Sequence, residues 1–207
     1  MNENKLKILF AVRDAAPFHY AALLRVLATR QHTIRVVYDE RWTDQVGLRQ
    51  LKESLSSFSA IEFRPAIRHE GVLRTFLFHL RELLTYRRYL IVPGQSTYYR
   101  DRWKGYLPAT VRYFLSYKLP ERLLMTRFVG RIGWMMERLI RPYSDVTKDI
   151  KEFMSDVVFA SPVNLRFSST EVEYLKAAVA IGIPTVSWVL TWDNLTTKGL
   201  FHIWPDR

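Results

Sequence analysis

Lys7-Ile8-Leu9-Phe10-Ala11-Val12 is an apolar run of strand length, and the turn and helix after it decide the fold. Next comes Arg13-Asp14-Ala15-Ala16-Pro17, a turn without glycine whose proline suits a first helical turn. Tyr20, Leu23, Leu24 and Leu27 then recur at i, i+3, i+4 and i+7, the stripe of a helix packed on a sheet. Thr33-Ile34-Arg35-Val36-Val37-Tyr38 reads as a second strand. Strand, helix and strand in this order make a βαβ unit, which predicts a parallel sheet with right-handed crossovers.

Outward from that unit, a polar helix is expected over 43–57, and Ala60-Ile61-Glu62-Phe63 is a candidate third strand. The far end repeats the pattern. Asp156-Val157-Val158-Phe159-Ala160 is a short buried-type strand, and Ser168-Ser169-Thr170-Glu171 resembles a capping box. Val172, Leu175 and Val179 stripe the next helix, Gly182 stops it, and Pro184 to Val189 forms another strand. Strands near 7–12, 33–38, 156–160 and 185–190 therefore belong to one mainly parallel sheet. The fold class is α/β: a Rossmann-like, doubly wound single domain over 1–207, interrupted by a mainly helical insertion at 64–141.

Among the 207 residues, 48% are hydrophobic and 14% aromatic, too many for a disordered chain, and the lack of cysteine excludes disulfides and thiolate metal cages. No apolar run approaches the roughly 18 residues of a membrane span, and the polar N-terminus does not read as a secretory signal. A cytoplasmic protein is expected. Its net charge of +11 is concentrated: residues 64–141 hold 16 basic and 5 acidic side chains, while the flanks nearly balance. In this insertion Leu73, Phe76, Leu77, Leu80 and Leu84 mark a long helix. Leu124, Phe128, Ile132, Met135 and Leu139 mark another, with Arg127, Arg131 and Arg138 on a different face. Such a charge suggests nucleic acid, but no nucleic-acid motif is present and apolar residues accompany the arginines. An anionic membrane at the inner face fits that mixture better, with Trp103, Tyr106, Tyr113, Phe114, Tyr117 and Trp134 at headgroup level.

The chemistry narrows by exclusion. The glycine-free first turn argues against a nicotinamide or flavin cofactor, which needs backbone close to its pyrophosphate. Neither a Walker sequence nor a G-x-S-x-G elbow occurs, and there is no D-x-D. His19, His32, His69, His79 and His202 lack metal-ligand spacing, so no metal is expected. Two loops remain, both after strands, where open α/β sheets collect ligands. The first offers Arg13, Asp14 and His19 near a helix N-terminus. The alternative there is that Arg13 and Asp14 pair and His19 caps the helix. The second is Thr191-Trp192-Asp193-Asn194-Leu195-Thr196-Thr197-Lys198-Gly199, dense in polar side chains. Its alternative is a turn capped by Asp193 and Asn194.

The segments Asp156–Pro162 and Glu173–Pro184, Ser187, the W-D-N-L-T-T-K-G stretch from Trp192 and Pro205-Asp206 together resemble bacterial two-domain GT-B glycosyltransferase-like proteins. The first strand and the Arg13-to-Tyr20 loop also fit. A looser similarity joins the chain to teichoic-acid glycerophosphotransferases, whose motif reads W-H-G-T-P-x-K. Trp192 and Lys198 match it, while Asp193 stands at the histidine's position. The resemblance implies the acceptor-side half of a transferase in surface-polysaccharide biosynthesis, with the C-terminal donor-binding domain absent. No cofactor is implied beyond a nucleotide-activated donor as substrate, and the acceptor is a glycan or a lipid-linked glycan. Asp193 is the expected base, with His19 in reserve. Arg13, Asp14, Trp192, Asn194, Thr196, Thr197 and Lys198 are the expected substrate-binding residues. The alternative is a non-catalytic module that keeps the fold and binds a membrane or partner.

Overall fold

The computed structural model describes residues 5–15, 17–161, 170–189 and 198–207, with the side chains of 17–19 outside that description. Five parallel strands form one sheet: β1 (Lys7–Val12), β2 (Thr33–Tyr38), β3 (Ile61–Pro65), β4 (Val157–Ser161) and β5 (Thr185–Ser187), in the order β3-β2-β1-β4-β5. Strands from both ends of the sequence thus share it, and β1 pairs with both β2 and β4, setting Phe10 beside Val36 and Phe159.

The pleat explains why β1 is apolar without alternation. Leu9 and Ala11 face one way, toward α8 (Ser144–Phe153) and α9 (Thr170–Ala180), where they meet Val146, Ile150, Val172 and Leu175. Ile8, Phe10 and Val12 face the other way, toward α1 (Pro17–Thr29) and α2 (Gln45–Ser54), and meet Leu24, Leu48 and Leu51. A strand covered on both faces needs apolar residues at every position. The sheet is doubly wound, as expected. The third strand is slightly longer than anticipated, and Pro65 ends it at the sheet's edge, where a missing N–H costs no ladder bond.

Between β3 and α8 lie five helices: α3 (Val72–Ile91), α4 (Thr97–Gly105), α5 (Ala109–Phe114), α6 (Lys118–Met125) and α7 (Arg127–Leu139). They bury a core of their own from Tyr86, Tyr89, Trp103, Leu107, Leu115 and Leu124. Trp103 and Tyr106 therefore belong to this core rather than to an aromatic belt, whereas Tyr113, Phe114 and Tyr117 are exposed.

The second long helix departs from its expected faces. Leu124 falls in α6, and the buried side of α7 is Gly130, Gly133 and Glu137. A Cβ on Gly133 would stand 2.7 Å from Leu84 Cδ2, so any larger residue here forces the Leu84 side chain to shift. Phe128, Met135 and Leu139 consequently face outward, and Arg131 and Arg138 line the same groove as Met135 and Leu139 instead of a separate face.

Charged side chains join α3 and α7 to α9. Arg81 on α3 meets Glu137 on α7 at 2.7 Å and Glu173 on α9 at 2.8 Å, and Lys176 donates to Glu137 Oε1 at 3.1 Å. All four are buried. Burial works against the guanidinium's charge, but Glu173 and Glu137 together hold it charged well above its ordinary range. The residues of α9 from Thr170 to Ala178 are buried without interruption, because sheet, α8 and this network surround the helix.

Candidate functional site

The strand order reverses between β1 and β4, and in open α/β sheets that reversal opens a crevice at the carboxyl ends. Three chain segments leave the sheet there at one level. The Arg13 N–H donates to Ser161 O at 3.4 Å, and the Asp39 N–H donates to Val12 O at 3.3 Å, each extending a ladder by one bond. The N-terminus of α9 closes the group: Thr170 donates its hydroxyl to Asp39 Oδ2 at 3.2 Å.

Arg13 lies over the Trp42 ring, its guanidinium 4.1 Å from the centroid, and the Thr43 hydroxyl donates to its carbonyl at 3.3 Å. Asp39 is buried, and its other oxygen accepts the Arg41 N–H at 3.1 Å. Within electrostatic reach of Arg13 and Asp39 is Glu171, 1% exposed, with no hydrogen-bond partner for Oε1 among the described residues. Burial pushes its carboxyl up to about 8, against its own backbone N–H and Arg13, while Asp39 adds to the rise. Glu171 is therefore mostly protonated at neutral pH. It was expected only as the glutamate of a capping box whose Ser168 lies outside the described residues.

Tyr20 stands near Glu171 and Asp14. Its ring meets Trp188 edge-on at 5.8 Å, and its hydroxyl shares a hydrogen bond with Ser161, which donates to Trp188 O at 2.8 Å. Burial, opposed by the Ser161 hydroxyl and aided by Glu171 and Asp14, pushes the phenol up to about 12. Tyr20 and Ser161 thus form a neutral hydroxyl pair, able to donate and accept but not to carry charge at neutral pH.

Of the expected site residues, Arg13 and Asp14 stand at this crevice, both half-buried. The His19 side chain lies outside the described residues, as do Trp192, Asp193, Asn194, Thr196 and Thr197. Lys198 is described, and it is held by its main chain: Tyr89 on α3 donates to Lys198 O at 3.0 Å, and the Leu200 N–H donates to Thr85 Oγ1 at 3.4 Å. The C-terminal end of the polar loop is thereby fastened to the helical insertion. Past it, Asp206 Oδ2 accepts from both the N–H and the hydroxyl of Thr185 at 2.8 Å, drawing the chain along the free side of β5. Those two bonds hold the Asp206 carboxyl below its ordinary range.

Asp39, Tyr20 and Glu171 were not singled out as site residues. Asp39 alone carried a signal, being the first residue after β2. Among the described residues no cluster of three or more histidine, aspartate or glutamate side chains stands ready for a metal. No family model, no curated protein and no solved structure matches the chain.

Proposed function

We propose that the chain is the acceptor-side domain of a GT-B glycosyltransferase or glycerophosphotransferase acting in surface-polysaccharide biosynthesis. The observation that supports it is the gathering of Arg13, Asp14, Tyr20, Asp39 and Glu171 at the strand-order reversal, behind a first turn without glycine. Such a crevice offers cationic, anionic and hydroxyl groups suited to a polyhydroxylated ligand, and no glycine cradle for a dinucleotide.

In the reaction, an acceptor hydroxyl attacks the anomeric carbon or the phosphorus of a nucleotide-activated donor. Its oxygen forms the new bond, the bond to the nucleotide's phosphate breaks, and the hydroxyl proton passes to a base. A positioned base contributes about 10²–10⁴-fold. Asp193 is the proposed base, with Asn194, Thr196 and Thr197 on acceptor hydroxyls and Lys198 balancing negative charge. Protonated Glu171 adds no negative charge to the crevice at neutral pH, and the donor is held by a second domain.

Two measurements test the reading. Oligosaccharides and polyol phosphates titrated into the purified chain should change Trp42 fluorescence, and Arg13→Gln should abolish the change. In the full-length enzyme Asp193→Asn should cut turnover at least a hundredfold with little loss of stability. Turnover of a nucleotide sugar by the 207-residue chain alone would refute the division of labour.

A second reading, a non-catalytic module retaining the fold, is favoured by the exposed apolar and cationic side chains of α5–α7. It predicts full biological function for the Asp193→Asn enzyme.

A further inference from the structure

Outside the crevice, the feature that calls for a ligand is the outer side of α7. Arg131, Trp134, Met135, Arg138 and Leu139 line a groove of about 520 Å³ on it. We propose that this groove holds the phosphate head of an anionic lipid while α5–α7 rest on the bilayer surface.

The groove joins two chemistries along one helix face. Arg131 and Arg138 are seven residues apart, two turns or about 10 Å along the axis, so both guanidinium groups can reach one group lying between them. Neither makes an ion pair or hydrogen bond with any described residue, and both are exposed. The nearest acid in sequence, Glu137, is turned inward to Arg81 and Lys176. Two guanidiniums without an ion pair among the described residues form a site for a phosphate, which accepts from their planar N–H forks.

The apolar half sets the rest of the ligand. Met135 and Leu139 occupy the groove and are 52% and 69% exposed, with Phe128 on the same helix at 72%. On the adjoining helices, Phe114, Leu119 and Leu123 are exposed as well. The same three helices carry Arg112, Lys118, Arg122 and Arg127, all exposed and none ion-paired among the described residues. Exposed apolar and cationic side chains on the same helices fit the boundary between headgroups and acyl chains. A nucleic-acid backbone would satisfy the arginines but leave the Phe, Leu and Met side chains in water. No described helix is long and apolar enough to cross a membrane, so the contact is one of lying on the surface.

The groove also connects with the segment beyond the polar loop. The Trp134 and His202 ring centroids are 6.0 Å apart, His202 lying in the stretch that Tyr89 and Thr85 fasten to α3. Lipid binding here does not depend on the transferase reading, since the groove needs no chemistry in the crevice.

Co-sedimentation of the whole chain tests it, using vesicles of phosphatidylcholine alone and of equal parts phosphatidylcholine and phosphatidylglycerol. Binding to the mixed vesicles is expected, with at least tenfold weaker binding to neutral ones. Arg131→Gln with Arg138→Gln should weaken the mixed-vesicle binding at least tenfold. Met135→Ser with Leu139→Ser should also weaken it, but without changing its salt dependence. All four side chains are exposed, and unchanged circular dichroism and unfolding midpoint will show that the variants fold. Equal binding to both vesicle types, or no effect of the arginine pair, overturns the proposal. So does inorganic phosphate displacing the protein from vesicles at low millimolar concentration, because the site would then serve a free anion. Binding of a single-stranded oligonucleotide that needs the arginine pair, with vesicles ignored, overturns it in favour of nucleic acid.

Discussion

Replacing Glu171 by glutamine tests the electrostatics of the crevice through stability alone. The carboxyl is 1% exposed and pushed from 4.5 to about 8. Above pH 4.5 an unfolded chain releases this proton, while the folded chain keeps it until about 8. The unfolded state thus binds fewer protons through that window, and stability falls as pH rises. At about 1.36 kcal/mol for each unit, the full loss is on the order of 5 kcal/mol, complete only above pH 8. Glutamine copies the shape of the protonated acid and never ionises. In urea unfolding, Glu171→Gln should match the wild type near pH 4, then exceed it by a margin that grows to several kcal/mol near pH 8.5. His202 and every other titrating group are common to both proteins, so their contributions cancel. A difference of the same size at both pH values would show that Glu171 does not hold a proton in the folded crevice, and the charge assigned to it would be wrong.

Glu137→Gln leaves Arg81 and Lys176 buried with one acid between them, and should cost about 3–5 kcal/mol in urea unfolding. Gly133→Leu drives a side chain into Leu84 and should cost about 1–3 kcal/mol, much of it recovered when Leu84→Ala is added. His202 is half-buried, and burial of its ring together with Arg81 holds it well below its ordinary range. The unfolded chain gains a proton below about pH 6.5 that the folded chain refuses, so the melting temperature should fall with acid and His202→Phe should flatten that fall.

The sheet was legible because its signals are local. The Ile8–Val12 run, the Tyr20–Leu27 stripe and Gly182 each depend on neighbours in sequence, and each stands where expected; Gly182 adopts a φ of +73° just beyond α9. What escaped was set by distant partners. Nothing near Glu137 tells that Arg81 lies 56 residues back, or that Lys176 waits 39 residues on. Helical periodicity grouped Phe128, Met135 and Leu139 on one apolar stripe, with Arg127, Arg131 and Arg138 on a different face. Here Gly130 and Gly133 take the inner side and push those residues out. In the crevice, Arg13 and Asp14 were readable from their place after β1. Glu171 was not, since a glutamate in a first helical turn reads as a cap until its burial is known.

The central pairing of the sheet also bears on synthesis. Phe10 sits beside Phe159, 149 residues later in the chain, with the whole helical insertion emerging between them. Translation at about 5–20 residues per second leaves β1 without β4 for on the order of ten seconds, its open edge apolar on both faces. The insertion helices, whose contacts are mostly local, are free to form in that interval. A nascent chain of this protein therefore presents an uncovered strand edge to its surroundings before it has a sheet, and a holding chaperone that masks residues 7–12 should raise its yield more than one that acts on the finished chain.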